Sequence, residues 1–310
     1  MAARIVQDEK KPTDDGTWNV SRILCHRLDV TFDKPIYFNQ FRRTESKTKT
    51  TDNADSPKIK TALCIPMPDE DAAKLVGVVN RIVTYTDEGY TRDNKLLKAQ
   101  RIEAKELEVR IGDKKQEIFA TGPGEVRILQ PDGNSEWGKP APAPAAKKSN
   151  EPSPFKLTFV KFTSRMVAVE KNKLYQEAVF TDNARVWNIP TNNINLVFAE
   201  HSVPKGTTWL SCTNSLRVSS SRTKPDGEAE QEMTALGNGE FLDDVYQGTA
   251  SKISYKSQAI ILEGTGDRLA RLYRRTRSVN EQNATGARRY IYYKDGTVTS
   301  DESSGGTINP

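Results

Sequence analysis

A six-residue phrase recurs along this chain, and three of its copies stand 37 residues apart, beginning at 213, 250 and 287. The phrase is a small residue, two variable residues, an aliphatic or aromatic, a variable residue, then Val or Tyr. It reads Ala250-Ser-Lys-Ile253-Ser-Tyr255, Thr213-Asn-Ser-Leu216-Arg-Val218 and Ala287-Arg-Arg-Tyr290-Ile-Tyr292, and earlier Ala104-Lys-Glu-Leu107-Glu-Val109. Looser copies are Cys25-His-Arg-Leu28-Asp-Val30 and Ser164-Arg-Met-Val167-Ala-Val169. A fixed period of this length signals supersecondary units that cannot bury an apolar face alone and must stack on their neighbours.

Each copy reads as a strand. Leu107, Val109 and Ile111 alternate with Glu106, Glu108 and Arg110, which gives one dry and one wet face. The small residue, three before the aliphatic, falls on the opposite face of a straight strand, where a small side chain suits a bend. A second phrase, a glycine pair with an acid behind it, separates the strands: Gly122-Pro-Gly124-Glu125, Gly237-Asn-Gly239-Glu240 and Gly264-Thr-Gly266-Asp267, with a degenerate form at Asp182-Asn183-Ala184. Glycine at a junction permits a positive φ or a bulge. Phosphate-cradling glycine loops need a helix behind them, and here strands follow.

An apolar fraction of 35% over 310 residues suits thin sheets with a solvated face better than a doubly covered parallel sheet. The net charge of +5 is too mild to imply nucleic acid, and the chain has no helix-turn-helix pattern or dense aromatic interleaving; no nucleic-acid partner is expected. Cys25, Cys64 and Cys212 form no metal-binding spacing and read as small buried residues, at least one of which stays outside any intramolecular disulfide. His26 and His201 are the only histidines, and neither has a nucleophile beside it in sequence. No catalytic residue, metal or cofactor is expected. No apolar run spans a membrane as a helix, and residues 1–16 hold no apolar leader, which leaves a cytoplasmic chain or a piece of a longer one.

Residues 1–16 read as disordered. Strands are expected at 18–32, 35–41, 60–65, 77–85, 97–111 and 116–129, with a helical turn within 66–75. The Pro/Ala/Lys-rich 138–154 is a linker or loop between an amino-terminal β half, 17–137, and a carboxy-terminal β half, 155–300. In the second half strands are expected at 155–169, 174–188, 194–200, 207–220, 231–244, 246–256, 258–274 and 286–299, with a polar hairpin insertion at 220–230 and a polar tail after 301. A basic cluster, Arg268, Arg271, Arg274, Arg275 and Arg277, with Arg288 and Arg289 one repeat on, reads either as a solvated strand face, with Leu269, Arg271, Tyr273 and Arg275 on one side, or as a site for phosphate or carboxylate groups.

The two phrases in alternation resemble the OstA-like (LptA-like) repeats of lipopolysaccharide-transport proteins, a family that takes in periplasmic bridge proteins and the periplasmic domain of LptD. The resemblance is clearest at FTDNARVW, ALGNGEFLDD and TASKISYKSQAIILEGTGDRLARL, from Phe155 to about Ser300, and weaker over Cys25–Leu129. It implies an all-β, antiparallel OstA-like jellyroll, a folded sheet built from repeated strand–turn–strand units. It implies a non-enzymatic cell-envelope protein of the periplasm that binds or conducts lipopolysaccharide or another anionic lipid or glycolipid. Leu107, Val109, Leu216, Val218, Ile253 and Tyr255 would line the groove, and Arg268, Arg271, Arg274 and Arg275 would hold the anionic headgroup. Partners would be further copies joined end to end, or other envelope transport proteins. Two alternatives stay open: a self-assembling β-repeat scaffold without lipid, and a carbohydrate-binding β-solenoid, whose enzymatic form would need paired carboxylates.

Overall fold

The computed structural model describes residues 3–9, 17–34, 57–68, 82–113, 115–131, 155–171, 174–200, 204–222, 230–256, 259–275, 286–293 and 296–303. Among them it forms one antiparallel sheet and no helix. In chain order the strands are β1 (Ala3–Glu9), β2 (Trp18–Cys25), β3 (Arg27–Phe32), β4 (Ile59–Ile65), β5 (Val83–Tyr90), β6 (Leu96–Ala104), β7 (Glu106–Ile111), β8 (Lys115–Thr121), β9 (Gly124–Pro131) and β10 (Phe155–Phe162). They continue as β11 (Arg165–Lys171), β12 (Tyr175–Thr181), β13 (Ala184–Pro190), β14 (Thr208–Cys212), β15 (Ser215–Ser221), β16 (Glu230–Leu242), β17 (Tyr246–Lys256), β18 (Ala259–Glu263), β19 (Ala270–Arg274), β20 (Gly286–Tyr293) and β21 (Val298–Ser303).

The pairings sort these strands into two rows. The first runs β1-β2-β5-β6-β9-β10-β13-β14-β16-β17-β19. The second runs β3-β4-β7-β8-β11-β12-β15-β16-β17-β18-β20-β21. The chain passes from one row to the other at short corners: His26, Lys105, 122–123, 163–164, 182–183, 213–214 and 264–269. β16 crosses without a break, through a register shift between Leu236 and Gly239.

Long strands read from the sequence as single elements are therefore bent pairs: 18–32, 97–111, 116–129, 155–169, 174–188, 207–220 and 258–274 each hold a corner. The bend also corrects the face of the small residue. A straight strand would put Ala104 opposite Leu107, but the turn at Lys105 brings both into one buried cluster. Cys25, Ala104, Ala184, Cys212, Ala270 and Ala287 are all buried at this line, because the two rows converge there and leave no room for bulk; Ala250 is buried on the same line but borders a cleft. In two copies the phrase is out of step. Thr213 is exposed and Cys212 fills its place, and after Ser164 the buried residue is Met166 rather than Val167.

The corners explain the glycine phrase. Gly237 has φ +80°, and Asn238 beside it is also left-handed. At 182–183 the same backbone is carried by Asp182 (φ 61°) and Asn183 (φ 50°), residue types whose short polar side chains tolerate that region. At Gly264 a Cβ would lie 2.3 Å from the Arg268 carbonyl oxygen, so only glycine lets that turn close.

Two clusters form the core. The larger lies between the rows and takes residues from both, from Cys25 to Tyr290. The smaller covers the opposite face of the first row: Ala99, Leu129, Leu157, Phe159, Trp187 and Ile189, under Ile194, Leu196 and Phe198. Those last three belong to 194–200, which the alternating pattern predicts as a strand. It is instead an irregular strap, held by Arg127, whose Nη1 donates to the carbonyl oxygens of Ile194 (3.1 Å) and Leu196 (3.0 Å), and by Arg101 Nη1 to Asn195 Oδ1 (2.8 Å). The amino-terminal stretch expected to be disordered contains β1, paired with β2 along its length. β9 pairs with β10 and β8 with β11, so the sheet is continuous from residues before the 138–154 segment to residues after it. That segment, the expected strand at 35–41, residues 69–75 of the helical turn expected within 66–75, and His201 and Arg277 lie outside the described residues; the described part of that turn, 66–68, is not helical.

Candidate functional site

Register turns the repeat into continuous rungs of side chains. In the second row the aliphatic positions line up as Leu28, Cys64, Leu107, Ala120, Met166, Phe180, Leu216, Ala235, Ile253, Leu262 and Tyr290. The next rung outward is Val30, Ala62, Val109, Ile118, Ala168, Ala178, Val218, Met233, Tyr255, Ile260, Tyr292 and Val298. Facing them, the first row offers Ile23, Tyr85, Ile102, Val126, Val160, Val186, Leu210 and Phe241. Strand alternation fixes this: one residue in two faces inward, and at those positions the sequence is apolar.

The six predicted groove residues fall on these two rungs, three on each. Leu107, Leu216 and Ile253 are fully buried, on the rung nearest the corner. Val109 and Val218 are half-buried on the outer rung, with Tyr255 nearly covered. The inner rung is thus packed core, whereas Val109, Ile118, Ala168, Ala178, Val218 and Ile260 keep an accessible apolar face along the inside of the fold. One step further out, the first row carries polar residues on either side of Ile128. Ser21 Oγ donates to Asp87 Oδ1 (2.7 Å), and Thr158 Oγ1 donates to Asn188 Oδ1 (2.7 Å). Asn188 is fully buried and its Nδ2 has no partner. The sequence signal for this polar line was a polar residue at an inward-parity position, Thr158 two before Val160 and Asn188 two after Val186, which only the register makes visible.

Near β19 the rows are clasped. Tyr292 of the second row packs on Tyr246 (4.7 Å between ring centroids) and Phe241 (6.4 Å) of the first, and its hydroxyl bonds to the Asp243 carboxylate. Burial holds the Asp243 carboxyl above its ordinary 3.8, against hydrogen bonds from the Tyr246 and Val245 amides and from Tyr292. Burial likewise raises the Tyr292 hydroxyl. A raised carboxyl means that the folded chain takes the proton more readily than the unfolded one. This group therefore costs stability as pH rises through the window above 3.8, and the cost is relieved as pH falls. Asp243→Asn is expected to melt above the parent at neutral pH, with the gap narrowing as pH falls toward 3.8; thermal melts across that range would refute this if the gap stayed constant.

The four arginines do not converge. Arg268 lies in the turn before β19, not on a strand face, and donates to Asn238 Oδ1 (3.1 Å). With exposed Arg271 it lines a cleft of about 640 Å³ that also holds Asp267, Glu240 and Ser251. Arg274 and Arg275 stand at the far end of β19, where Arg275 Nη1 donates to the Asp243 carbonyl oxygen (2.7 Å). The alternation expected for Leu269 through Arg275 holds only from Ala270 onward, where Ala270 and Leu272 are buried. Among the described residues no three His, Cys, Asp or Glu side chains are grouped to hold a metal ion. No family model, curated protein or solved structure matches the chain.

Proposed function

We propose that the chain is a jellyroll of the OstA-like kind, a non-enzymatic cell-envelope protein that binds or conducts an amphipathic lipid or glycolipid between its two rows. The observation that carries the reading is the outer rung: an apolar strip from Val109 through Ile118, Ala168 and Ala178 to Val218 that is only half-buried, before Met233 and Tyr255 close the rung. A chain that needed only a core would close over such a strip, because accessible apolar surface lining a concavity is the usual mark of a ligand site. Acyl chains would lie along the strip. The polar line of the first row and the Arg268–Arg271 cleft would meet oxygen-rich headgroups. Lipopolysaccharide or another anionic lipid fits both requirements.

The test is native mass spectrometry of the protein after exposure to micelles of a phosphorylated glycolipid. A lipid adduct is expected. Ala178→Phe, which adds bulk midway along the strip, is expected to reduce the adduct at least tenfold with an unchanged far-ultraviolet circular dichroism spectrum. Replacing Arg268 and Arg271 together is expected to weaken binding and flatten its salt dependence, since exposed charges are screened within about 8–10 Å at physiological salt. A lipid-free protein under all conditions sinks the reading. One observation favours a second reading, a self-assembling scaffold: among the described residues β1, β3 and β21 pair along one side only, and open edges accept further strands. Lipid-free ladders of oligomers in the same experiment would favour it.

A further inference from the structure

We infer that Cys25 and Cys64 are a dithiol oxidised to a disulfide, a covalent staple between the two rows at the amino-terminal edge of the sheet. Cys25 ends β2 in the first row and Cys64 lies in β4 of the second. Both are buried, at 1% and 0% exposure, in the cluster between the rows, and their side chains are hydrogen-bonded to each other. The backbones hold them there. His26 N donates to the Ile65 carbonyl oxygen (3.0 Å), and Leu28 pairs with Cys64 in the β3–β4 ladder. Cys25 and Cys64 are both free thiols in this structure, and two buried thiols side by side on separate, backbone-fixed strands are placed for a disulfide to close between them. Cys212 is different. It is buried among its own partners, hydrogen-bonded to the backbone of Ala184 and Leu236, and it accounts for the odd cysteine.

The place gives the bond its value. β3 is an edge strand that pairs only with β4 among the described residues, so this corner has fewer neighbours than any corner in the middle of the sheet. The ring closed by the bond spans residues 25–64, and a long ring removes much freedom from the unfolded chain. The chemistry is thiol–disulfide exchange with a disulfide oxidant, such as glutathione disulfide or the active-site disulfide of a thiol oxidase. The Cys25 thiolate attacks one oxidant sulfur and releases one thiolate. The Cys64 thiolate then attacks the Cys25 sulfur and releases the second. The cysteines lose two electrons and two protons, and the oxidant is reduced to two thiols. Burial raises both thiols, Cys64 to about 12, so the packed corner reacts slowly and the bond forms before the rows close. Once closed, the same burial shields it from reductants.

The test is to refold the reduced, denatured chain in a buffer of glutathione and its disulfide, and in parallel under a phosphine reductant, then alkylate and map the peptides. The expected product is lighter by two hydrogens, with a Cys25–Cys64 linked peptide and Cys212 alkylated. It should also melt several degrees above the reduced chain. Cys212→Ala is expected to give the same linked peptide. Three alkylated cysteines after oxidative refolding, a glutathione adduct alone, or a bond through Cys212 overturns the assignment. A linked chain that melts no higher than the reduced one overturns its role as a staple.

Discussion

Ala235→Arg is expected to leave the chain without a cooperative melting transition. Ala235 is fully buried and stands between Leu216 and Ile253 on the rung nearest the corner, where both neighbours are also sealed. An arginine there has no route to water and no acid within the rung to meet it. Burying an unpaired charge and several methylenes in a packed core costs more than about 5 kcal/mol, which equals the whole stability of many domains. The repeat phrase alone points to Ala250→Arg instead. That change is expected to be milder, because Ala250 borders the cleft lined by Glu240 and Asp267, into which a long side chain can extend. Urea titrations of the two variants should separate them. Equal midpoints for Ala235→Arg and the parent would mean that the rung is not the core of the fold.

The contrast between Ala235 and Ala250 shows where the sequence was legible. Period two with apolar residues every second position reads directly as strand, so Leu107, Leu216 and Ile253 could be placed in one interior before any coordinates. The corners were half legible. A small residue and a glycine pair mark the bend, yet the face of Ala104 was misjudged because a corner breaks the alternation on which the reading depends. Neither the register nor the strap could be read. Which rung a residue joins depends on pairing between strands far apart in sequence, so Thr158 and Asn188 looked like ordinary polar positions. Ile194, Leu196 and Phe198 alternate as a strand does, but they do so to cap Trp187, not to extend the sheet. The arginines misled for a related reason. Proximity in sequence suggested one anion site, whereas the turn at 264–269 and the length of β19 separate Arg268 and Arg271 from Arg274 and Arg275.

Trp187→Ala is expected to cost about 3–5 kcal/mol, the usual range for deleting a buried aromatic. Trp187 is fully buried, stacks on Phe159 with ring centroids 5.4 Å apart, and meets Phe198 edge-on at 5.7 Å. Phe198 belongs to the strap, so the loss has a second effect. The strap's remaining anchors include the bonds from Arg127 and Arg101, the bonds of Thr191 and Asn192 to the Phe155 backbone, the Phe198–Phe159 edge contact and the contacts of Glu200 with Lys161 and Arg185. Those at Glu200 are exposed and contribute little. Segment 191–200 should therefore exchange its amide hydrogens and admit protease before the sheet unfolds. Trp187→Phe separates packing from polarity. The indole Nε1 is buried with no partner, so phenylalanine loses some contact area but also removes an unsatisfied donor, and the two terms oppose each other. Trp187→Phe is expected to melt within about 1 kcal/mol of the parent, with the strap protected. If Trp187→Phe falls as far as Trp187→Ala, the indole N–H has a partner that matters, and the outer face is held by a polar contact and not by aromatic packing.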